Sequence, residues 1–239
     1  MSKIEIIAEL GVNHNGDMKL LKEMILRVRE CGCVIIKTQL YDPAKLFPSK
    51  EIWTQNRNWY PEVEKTKLTK EQLFKFAEWC REVGAEPMAS AYDLERLSWL
   101  IELNVKRYKI ATRINQDKEL IDTVLSIGKE VFLSCQRRHL AYIPSNKIKV
   151  LYCVPSYPTQ LNKLEFNKIG FPYEFQGFSS HYPGIEPALM AIARGAQIVE
   201  VHFCLSRKIV NNPDITSSVE PKELRELVRI ARVFEKIEK

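Results

Sequence analysis

Eight short runs rich in β-branched and aromatic residues alternate along the chain with amphipathic stretches of helical periodicity. The predicted strands are residues 4–9, 34–39, 86–91, 107–110, 130–134, 149–154, 175–179 and 197–202. Strands that alternate with helices form parallel sheets, and eight such units in about 250 residues are typical of a (β/α)8 barrel. The sequence, with its 239 residues, therefore predicts an α/β fold in which residues 1–239 form one (β/α)8 TIM barrel domain.

The stretches between the strands place apolar residues three and four positions apart, which is typical of helices with one buried face. The predicted helices are residues 18–30, 70–83, 94–103, 117–126, 185–194 and 221–237. Asp17, Thr69 and Asp93 precede three of them and can accept hydrogen bonds from the free N–H groups of the first turn. Pro221 suits the first turn of the last helix.

Two segments interrupt this alternation. Residues 41–68 form a long insertion with Trp53, Trp59 and Tyr60, and a loop of that length in a compact barrel is typically a lid or rim element. The connection between the fifth and sixth strands is short and contains Pro144, which disfavours a helix. We therefore expect a shortened unit between strands five and six.

Composition excludes several kinds of partner. The formal net charge is +6, but no run of five like charges occurs, so we expect no nucleic-acid partner. No apolar stretch approaches the roughly 18 residues of a membrane span, and the charged start of the chain disfavours a signal peptide. The six cysteines lack C-x-x-C spacing, which favours reduced cysteines packed in the core and a cytoplasmic location.

Polar side chains recur near the carboxyl ends of the predicted strands, where the active sites of barrels are built. Charged residues inside strands are costly to bury unless they are paired or used, so a ring of them favours a functional site over chance. The residues at these ends are Glu9, Lys37, Gln39, Lys109, Thr112, Ser134, Tyr157, Ser179, His181, Glu200 and His202.

Two subsets of this ring suggest chemistry. His181 and His202 end adjacent strands, and two neutral imidazoles suit a borderline divalent ion such as Mn²⁺, Fe²⁺ or Zn²⁺; the alternative is one core histidine and one hydrogen-bonded on a loop. Lys37 and Lys109 point the same way and, with nearby hydroxyls, can cradle a phosphate or carboxylate. The alternative for each lysine is a side chain that extends to the rim for solvation.

Residues 7–17, which read IAELGVNHNGD, resemble the opening of the N-acetylneuraminate (sialic acid) synthase family. Further matching blocks keep their order along nearly the whole chain. They are IKTQ at 36–39, YKIAT at 108–112, LS at 133–134, LYC at 151–153, YPT at 157–159, GFSSH at 177–181, VEVHF at 199–203, PD at 213–214, Ser218 and EP at 220–221.

The resemblance implies an enzyme of nonulosonic (sialic) acid biosynthesis that joins phosphoenolpyruvate to an N-acetylhexosamine-type aldose and releases phosphate. His181 and His202 would hold a divalent metal, Mn²⁺ with Mg²⁺ or Co²⁺ as alternatives, and the metal would polarise the aldehyde. The catalytic residues would be Glu9, Lys37 and Lys109. The residues that would bind phosphoenolpyruvate are Lys37, Lys109, Thr112, Ser134 and Ser179. The residues that would face the acceptor are Gln39, Tyr157 and Asp214.

The chain departs from the family pattern at several positions. Ile114 stands where the family has an acidic residue that is assigned an acid/base role, and Ser180 replaces an aspartate beside the first metal histidine. Pro155 and Val201 replace an asparagine and a basic residue. Full-length members carry a C-terminal antifreeze-like domain, which we do not expect in a chain that ends at Lys239. That domain contributes to the family's dimer, so a homodimer is only one of the possible states.

Three hypotheses follow. The first is a minimal synthase of this family. The second is a degenerate, non-catalytic barrel that binds phosphoenolpyruvate or another anion, which the loss of the acidic residue at Ile114 favours. The third is a related carbon–carbon lyase or synthase that uses another sugar phosphate.

Overall fold

Eight parallel strands close into a barrel in the computed structural model, which describes residues 3–54, 57–209 and 211–237. The strands are β1 (Glu5–Glu9), β2 (Ile35–Leu40), β3 (Glu86–Ala91), β4 (Arg107–Ile110), β5 (Glu130–Cys135), β6 (Ile148–Tyr152), β7 (Gly177–Ser180) and β8 (Ile198–Phe203). Each strand pairs with the next, and β1 pairs with β8, with Glu5 beside Ile198 and Glu9 beside His202. The predicted TIM barrel is confirmed, and strand ends differ from the prediction by at most two residues.

Helices follow most strands. The six longer ones cover the outside of the barrel, and two short ones lie in the insertion after β2. They are α1 (Met18–Glu30), α2 (Pro43–Leu46), α3 (Tyr60–Lys65), α4 (Lys70–Glu82), α5 (Leu94–Glu102), α6 (Lys118–Ser126), α7 (Glu186–Ala193) and α8 (Pro221–Ile237). Asp17, Thr69 and Asp93 cap α1, α4 and α5, as predicted, and Thr69 also forms a capping box with Gln72. In the part of the chain that the structure describes, no helix combines the length and apolar character needed to cross a membrane.

The barrel interior is layered along its axis. At the amino-terminal mouth, Arg107 forms ion pairs with Glu5 (2.8 Å), Glu86 (2.7 Å) and Glu130 (3.1 Å). An apolar layer fills the middle and comprises Ile7, Ile35, Met88, Phe132, Leu151 and Ile198. Side chains alternate between the inside and the outside of the barrel along each strand. The residue two positions after each member of this layer therefore also points inward, closer to the carboxyl end of the barrel. The sequence therefore directs its polar residues into one end of a packed barrel.

The connection between β5 and β6 contains only a 3₁₀ turn at Arg138–Leu140, which confirms the shortened unit. The segment from 155 to 174 is irregular apart from 3₁₀ turns at Leu161–Lys163 and Phe166–Lys168. Phe166 packs against Tyr152 and Phe178, with ring centroids 6.0 and 5.2 Å apart. This segment thus covers part of the barrel that a crossover helix would otherwise cover.

The predicted insertion, residues 41–68, is a folded rim element. It contains α2, a short antiparallel ribbon (Trp53–Thr54 with Arg57–Asn58) and α3. Tyr41, Trp59 and Val63 form a hydrophobic cluster with Val12 of the loop after β1. Residues 55 and 56 and the side chain of Trp53 lie outside the described part of the chain.

Candidate functional site

A cavity of about 340 Å³ lies at the carboxyl ends of the strands. The predicted site residues line it, apart from Asp214, which lines an adjoining cavity. The predicted residues that meet in the first cavity are Glu9, Lys37, Gln39, Lys109, Thr112, Ser134, Tyr157, Ser179, His181 and His202. We call this cavity the anion cavity, because two lysines lie at its floor.

Four charged side chains at the floor of the anion cavity form one buried network. The Lys37 ammonium contacts the Glu9 carboxylate and lies 3.5 Å from Glu200. The Lys109 Nζ atom lies 3.2 Å from the other oxygen of Glu200. Each of the four residues is at most 3% exposed. Their formal charges cancel, and each buried charge has an opposite charge beside it.

Burial and the contacts within this network shift the pKa values of Lys37 and Glu200. Burial lowers the pKa of Lys37 to about 8, although the Glu200 carboxylate acts in the opposite direction. Burial would raise the pKa of Glu200, but the ammonium groups of Lys109 and Lys37 outweigh it and hold that pKa far below its usual value. Glu200 is therefore ionised at neutral pH and holds both lysines in place.

Hydroxyl groups surround this network. Ser179 donates a hydrogen bond to Glu200 at 2.9 Å. The hydroxyl groups of Ser90 and Ser134 are buried and have no hydrogen-bond partner among the residues that the structure describes. Because buried hydroxyls are normally hydrogen-bonded, these two are available to donate to an anion in the cavity.

His181 and His202 face each other at the edge of the anion cavity, with ring centroids 5.2 Å apart. The Nδ1 atom of His181 lies 3.0 Å from the Val154 carbonyl oxygen, and that of His202 lies 3.3 Å from a carboxylate oxygen of Asp214. Tyr157 stacks on His181 at 3.9 Å. Both rings are thus oriented by their Nδ1 side, which leaves Nε2 as the atom that can bind a ligand.

The pKa values of the two histidines shift in opposite directions. Burial lowers the pKa of His202, and the Asp214 carboxylate offsets this only in part. Burial acts in the same direction on His181, but the neighbouring sulfur of Cys153 raises the pKa of His181 above its usual value. The Cys153 sulfur lies 3.8 Å from His181 Nε2.

This arrangement fits a metal ion. Histidines that bind metals typically have their second ring nitrogen held by a carbonyl or carboxylate oxygen. The Nδ1 atom of His181 meets that condition through the Val154 carbonyl, and the Asp214 carboxylate lies 3.3 Å from the Nδ1 atom of His202. Within the described ranges, no three His, Cys, Asp or Glu side chains form a cluster that could hold a metal. An ion on the two histidines would therefore complete its coordination with water or substrate, as catalytic metals do.

The position of Asp214 depends on the loop after β1. Its carboxylate accepts a hydrogen bond from Val12 N at 3.3 Å, and its backbone N donates to the Asn212 side chain at 3.0 Å. Asn212 in turn donates to Asn15 at 2.8 Å. Gly11 has φ +51°, and a Cβ atom on it would lie 2.2 Å from the Asp214 carboxylate. Only glycine allows this close approach.

Several lining residues were not assigned a role from the sequence. Glu200 stood in the ring of strand-end residues, yet its bridging position between the two lysines follows only from the register of three strands. Ser90 pairs in register with Lys109, a relationship that its own sequence context does not signal. Tyr92, Arg113 and Cys153 also line the anion cavity.

Two family positions that changed in this chain lie beside the site. Ile114 ends the 3₁₀ turn Thr112–Ile114 and packs against the hydrophobic core. Ser180 is buried, and its hydroxyl accepts a hydrogen bond from Tyr182 N at 3.2 Å. Neither residue carries a carboxylate, so both acidic groups of the family pattern are absent from these two positions.

A closed parallel barrel with a charged cavity at the carboxyl ends of its strands defines a (β/α)8 barrel enzyme. A model of the NeuB family matches residues 24–239. The chain belongs to the NeuB family.

Relatives and solved structures agree with this assignment. An N,N'-diacetyllegionaminic acid synthase of Legionella pneumophila is 27% identical, over 97% of this chain and 72% of its own length. The N-acetylneuraminate-9-phosphate synthase of Homo sapiens is 29% identical, over 97% of this chain and 70% of its own length. The crystal structure of an N-acetylneuraminic acid synthetase from Leptospira borgpetersenii in complex with citrate has a TM-score of 0.84 and 27% identity, covering 99% of this chain and 85% of that chain.

Proposed function

We propose that this protein condenses phosphoenolpyruvate with an N-acetylhexosamine-type aldose in nonulosonic acid biosynthesis. In the overall reaction, the methylene carbon of phosphoenolpyruvate bonds to the carbonyl carbon of the aldose, water is consumed and inorganic phosphate leaves. The observation that carries the proposal is the meeting of two lysines and two histidines in one cavity of a NeuB-family barrel.

The anion cavity would bind phosphoenolpyruvate. The ammonium groups of Lys37 and Lys109 supply positive charge, and the unpartnered hydroxyls of Ser90 and Ser134 supply donors for phosphate or carboxylate oxygens. Ser179 and Thr112 complete the set. Because these groups are buried and already fixed, they can stabilise developing negative charge without reorganising. The nucleophile is a carbon of the substrate, so this reaction requires no nucleophilic side chain.

The Nε2 atoms of His181 and His202 would hold a divalent ion, and we propose Mn²⁺, with Mg²⁺ or Co²⁺ as alternatives. When bound, such an ion acts as a Lewis acid that polarises the aldehyde of the acceptor. Asp214 and the Val154 carbonyl orient the two rings for this. Gln39 and Tyr157 line both cavities, where they would contact the acceptor. Glu9 would hold Lys37 in position and lie beside the metal or its water.

We also propose a cytoplasmic location, which is where phosphoenolpyruvate is a common metabolite and where thiols stay reduced. All six cysteines are buried and free. This state suits a reducing compartment.

Release of inorganic phosphate from phosphoenolpyruvate tests the proposed reaction. The assay contains Mn²⁺ and a panel of N-acetylated hexosamines. We expect acceptor-dependent release by the native protein and a loss of at least a hundredfold for His202→Ala. The matched control is His139→Ala, which removes an exposed histidine outside the cavity. Release that is the same in His202→Ala as in the native protein would refute the proposal.

A second candidate function is anion binding without turnover. The observation that favours it is the apolar packing of Ile114 where the family has an acidic residue. Calorimetry separates the two candidates. Phosphoenolpyruvate binding that depends on Lys37 and Lys109, without phosphate release for any acceptor in the panel, would select the non-catalytic function.

A further inference from the structure

A second cavity of about 320 Å³ adjoins the anion cavity. We call it the distal cavity. The residues that line both cavities are Gln39, Tyr92, Arg113, Pro155 and Tyr157. A ligand whose reacting carbon lies near the two histidines can therefore extend into the distal cavity. An acceptor sugar is the reactant that needs this additional space.

Most of the residues that line the distal cavity are apolar or aromatic. The rim insertion contributes Tyr41, Leu46, Phe47, Ile52 and Val63 to them. Sugar hydroxyl groups that face the aliphatic side chains of Leu46, Ile52 and Val63 would lose hydration there without regaining hydrogen bonds. Methyl and acyl groups, in contrast, gain free energy when they are buried there.

This wall is a folded structure. Tyr41 and Val63 belong to the hydrophobic cluster of the insertion. The Tyr41 hydroxyl forms a 2.6 Å hydrogen bond with the Thr66 hydroxyl, and Thr66 is 1% exposed. The apolar surface is therefore already formed before a ligand binds. It can favour one ligand over another without the cost of ordering this segment.

The charged groups around the distal cavity give a second, independent argument about which ligand it accepts. Within the described residues, the charged groups that line the distal cavity are Arg113 and Asp214, whose formal charges cancel. The Arg113 guanidinium lies over the ring of Phe47, 4.8 Å from its centroid. Asp214 contacts His202 and Val12 N. A phosphate group carries close to two negative charges and is normally bound by several cationic or N–H donors. One guanidinium opposite a carboxylate is a poor site for such a group.

We propose that the distal cavity selects an uncharged acceptor. The acceptor would be an acylamino hexose whose end remote from the carbonyl carbon carries methyl or acyl groups, in preference to a sugar with a phosphate at that end. Leu46 and Ile52 are specificity-determining residues in this proposal, and the Arg113 guanidinium donates a hydrogen bond to an acyl or hydroxyl oxygen. The inference rests on the proposed function, because it assumes that a sugar is the second ligand.

Acceptor dissociation constants provide the test, measured by calorimetry on the intact protein with Mn²⁺ and phosphoenolpyruvate present. The two ligands are a 2,4-diacylamino-6-deoxyhexose and N-acetylmannosamine 6-phosphate. We expect at least tenfold tighter binding of the first. Equal affinities, tighter binding of the phosphorylated sugar, or no binding of either sugar would overturn the inference. If the reaction is too fast for calorimetry, the ratio of kcat/KM values for the same two sugars replaces the ratio of dissociation constants.

Two variants test the wall itself. Ile52→Ser should weaken binding of the deoxy sugar about tenfold and leave phosphoenolpyruvate binding unchanged. The matched control is Ile101→Ser, which changes an exposed isoleucine on α5 that lines neither cavity. Ile52→Arg adds a cation and should shift the preference toward the phosphorylated sugar by at least tenfold. An unchanged preference in both Ile52 variants, with native circular dichroism, would contradict the assignment.

The two proposals fail in different ways. Absence of phosphate release with every acceptor refutes the proposed reaction, while the ratio of acceptor dissociation constants still decides the selectivity. Preference for the phosphorylated sugar, in contrast, overturns the selectivity and leaves the reaction intact.

Discussion

The Oε1 atom of Glu200 lies 3.2 Å from the Nζ atom of Lys109. The other carboxylate oxygen of Glu200 faces Lys37 at 3.5 Å, so one carboxylate contacts both ammonium groups, and together with Glu9 it balances their charge. An arriving anion can then replace part of this interaction without a change in the position of either lysine. The Glu200 carboxylate thus holds both lysines in the positions in which they can bind an anion.

We predict that phosphoenolpyruvate binding weakens as the pH rises through about 8. Burial lowers the pKa of Lys37 to about 8, so its ammonium group is charged below that pH and loses its proton above it. Calorimetric titration between pH 7 and 9 should show a fall in affinity of about tenfold, the usual effect of losing about 1.4 kcal/mol. Lys37→Arg keeps its charge over this range and should bind with a flatter pH dependence. A native profile as flat as that of Lys37→Arg would contradict the shifted pKa.

Glu200→Gln should lower the free energy of unfolding by about 3 kcal/mol, because the Glu9 carboxylate then balances only one of the two buried ammonium groups. Urea unfolding measures this loss. Added inorganic phosphate should restore part of it, since an anion in the cavity replaces the missing charge. The control is Glu30→Gln, which removes one partner of an exposed ion pair with Arg27 and should cost less than about 1 kcal/mol. Equal losses in the two variants would show that the network does not stabilise the fold.

Asp214→Asn should weaken Mn²⁺ binding by about 10- to 100-fold, the usual effect of removing a group that orients a metal-binding histidine. The native affinity should also rise with pH, since metal binding competes with protons for the imidazoles and the Cys153 sulfur raises the pKa of His181 despite burial. Electron paramagnetic resonance of free Mn²⁺ measures both effects. His139→Ala serves again as the control, with unchanged affinity expected. Native affinity in Asp214→Asn would remove Asp214 from the proposed site.

Gly11→Ala should disturb the metal site as well as the fold. The added Cβ would meet the Asp214 carboxylate at 2.2 Å and force the carboxylate away from His202. Gly84→Ala is the matched control, because its φ is also positive, at +68°, but no atom lies within 4 Å of the new Cβ. Both variants should lose about 1–2 kcal/mol of stability from the backbone conformation, and only Gly11→Ala should lose Mn²⁺ affinity. Equal Mn²⁺ affinity in the two variants would contradict this role of Gly11.

Local patterns in the sequence were sufficient to predict the barrel. The bounds predicted for the first and last helices agree with α1 and α8, because the apolar period of 3.6, the cap Asp17 and the first-turn Pro221 are encoded within each segment. The two histidines and two lysines were found for a similar reason. They end parallel strands, and such ends meet at one mouth of a barrel.

Features that depend on contacts between distant segments were not predicted. The hydrogen bond between Tyr41 and Thr66, which holds the rim insertion together, joins residues whose local sequences carry no sign of it. The same is true of the contact between Gly11 and Asp214, which are about 200 positions apart in the chain. The sequence identifies Glu200 as a strand residue. Its position between Lys37 and Lys109 follows only from the order of the strands in the closed barrel.

The hydrophobic cluster of the rim insertion joins it to the barrel through Val12, and Tyr92 packs against the same cluster. The side chains that would discriminate between sugars are therefore also part of the cooperative folding unit. A change of acceptor during evolution would carry a cost in thermal resistance unless a second substitution refilled the space. Surveys of natural variants should then find paired changes at these positions, and engineering of the sugar preference would best begin from a stabilised background.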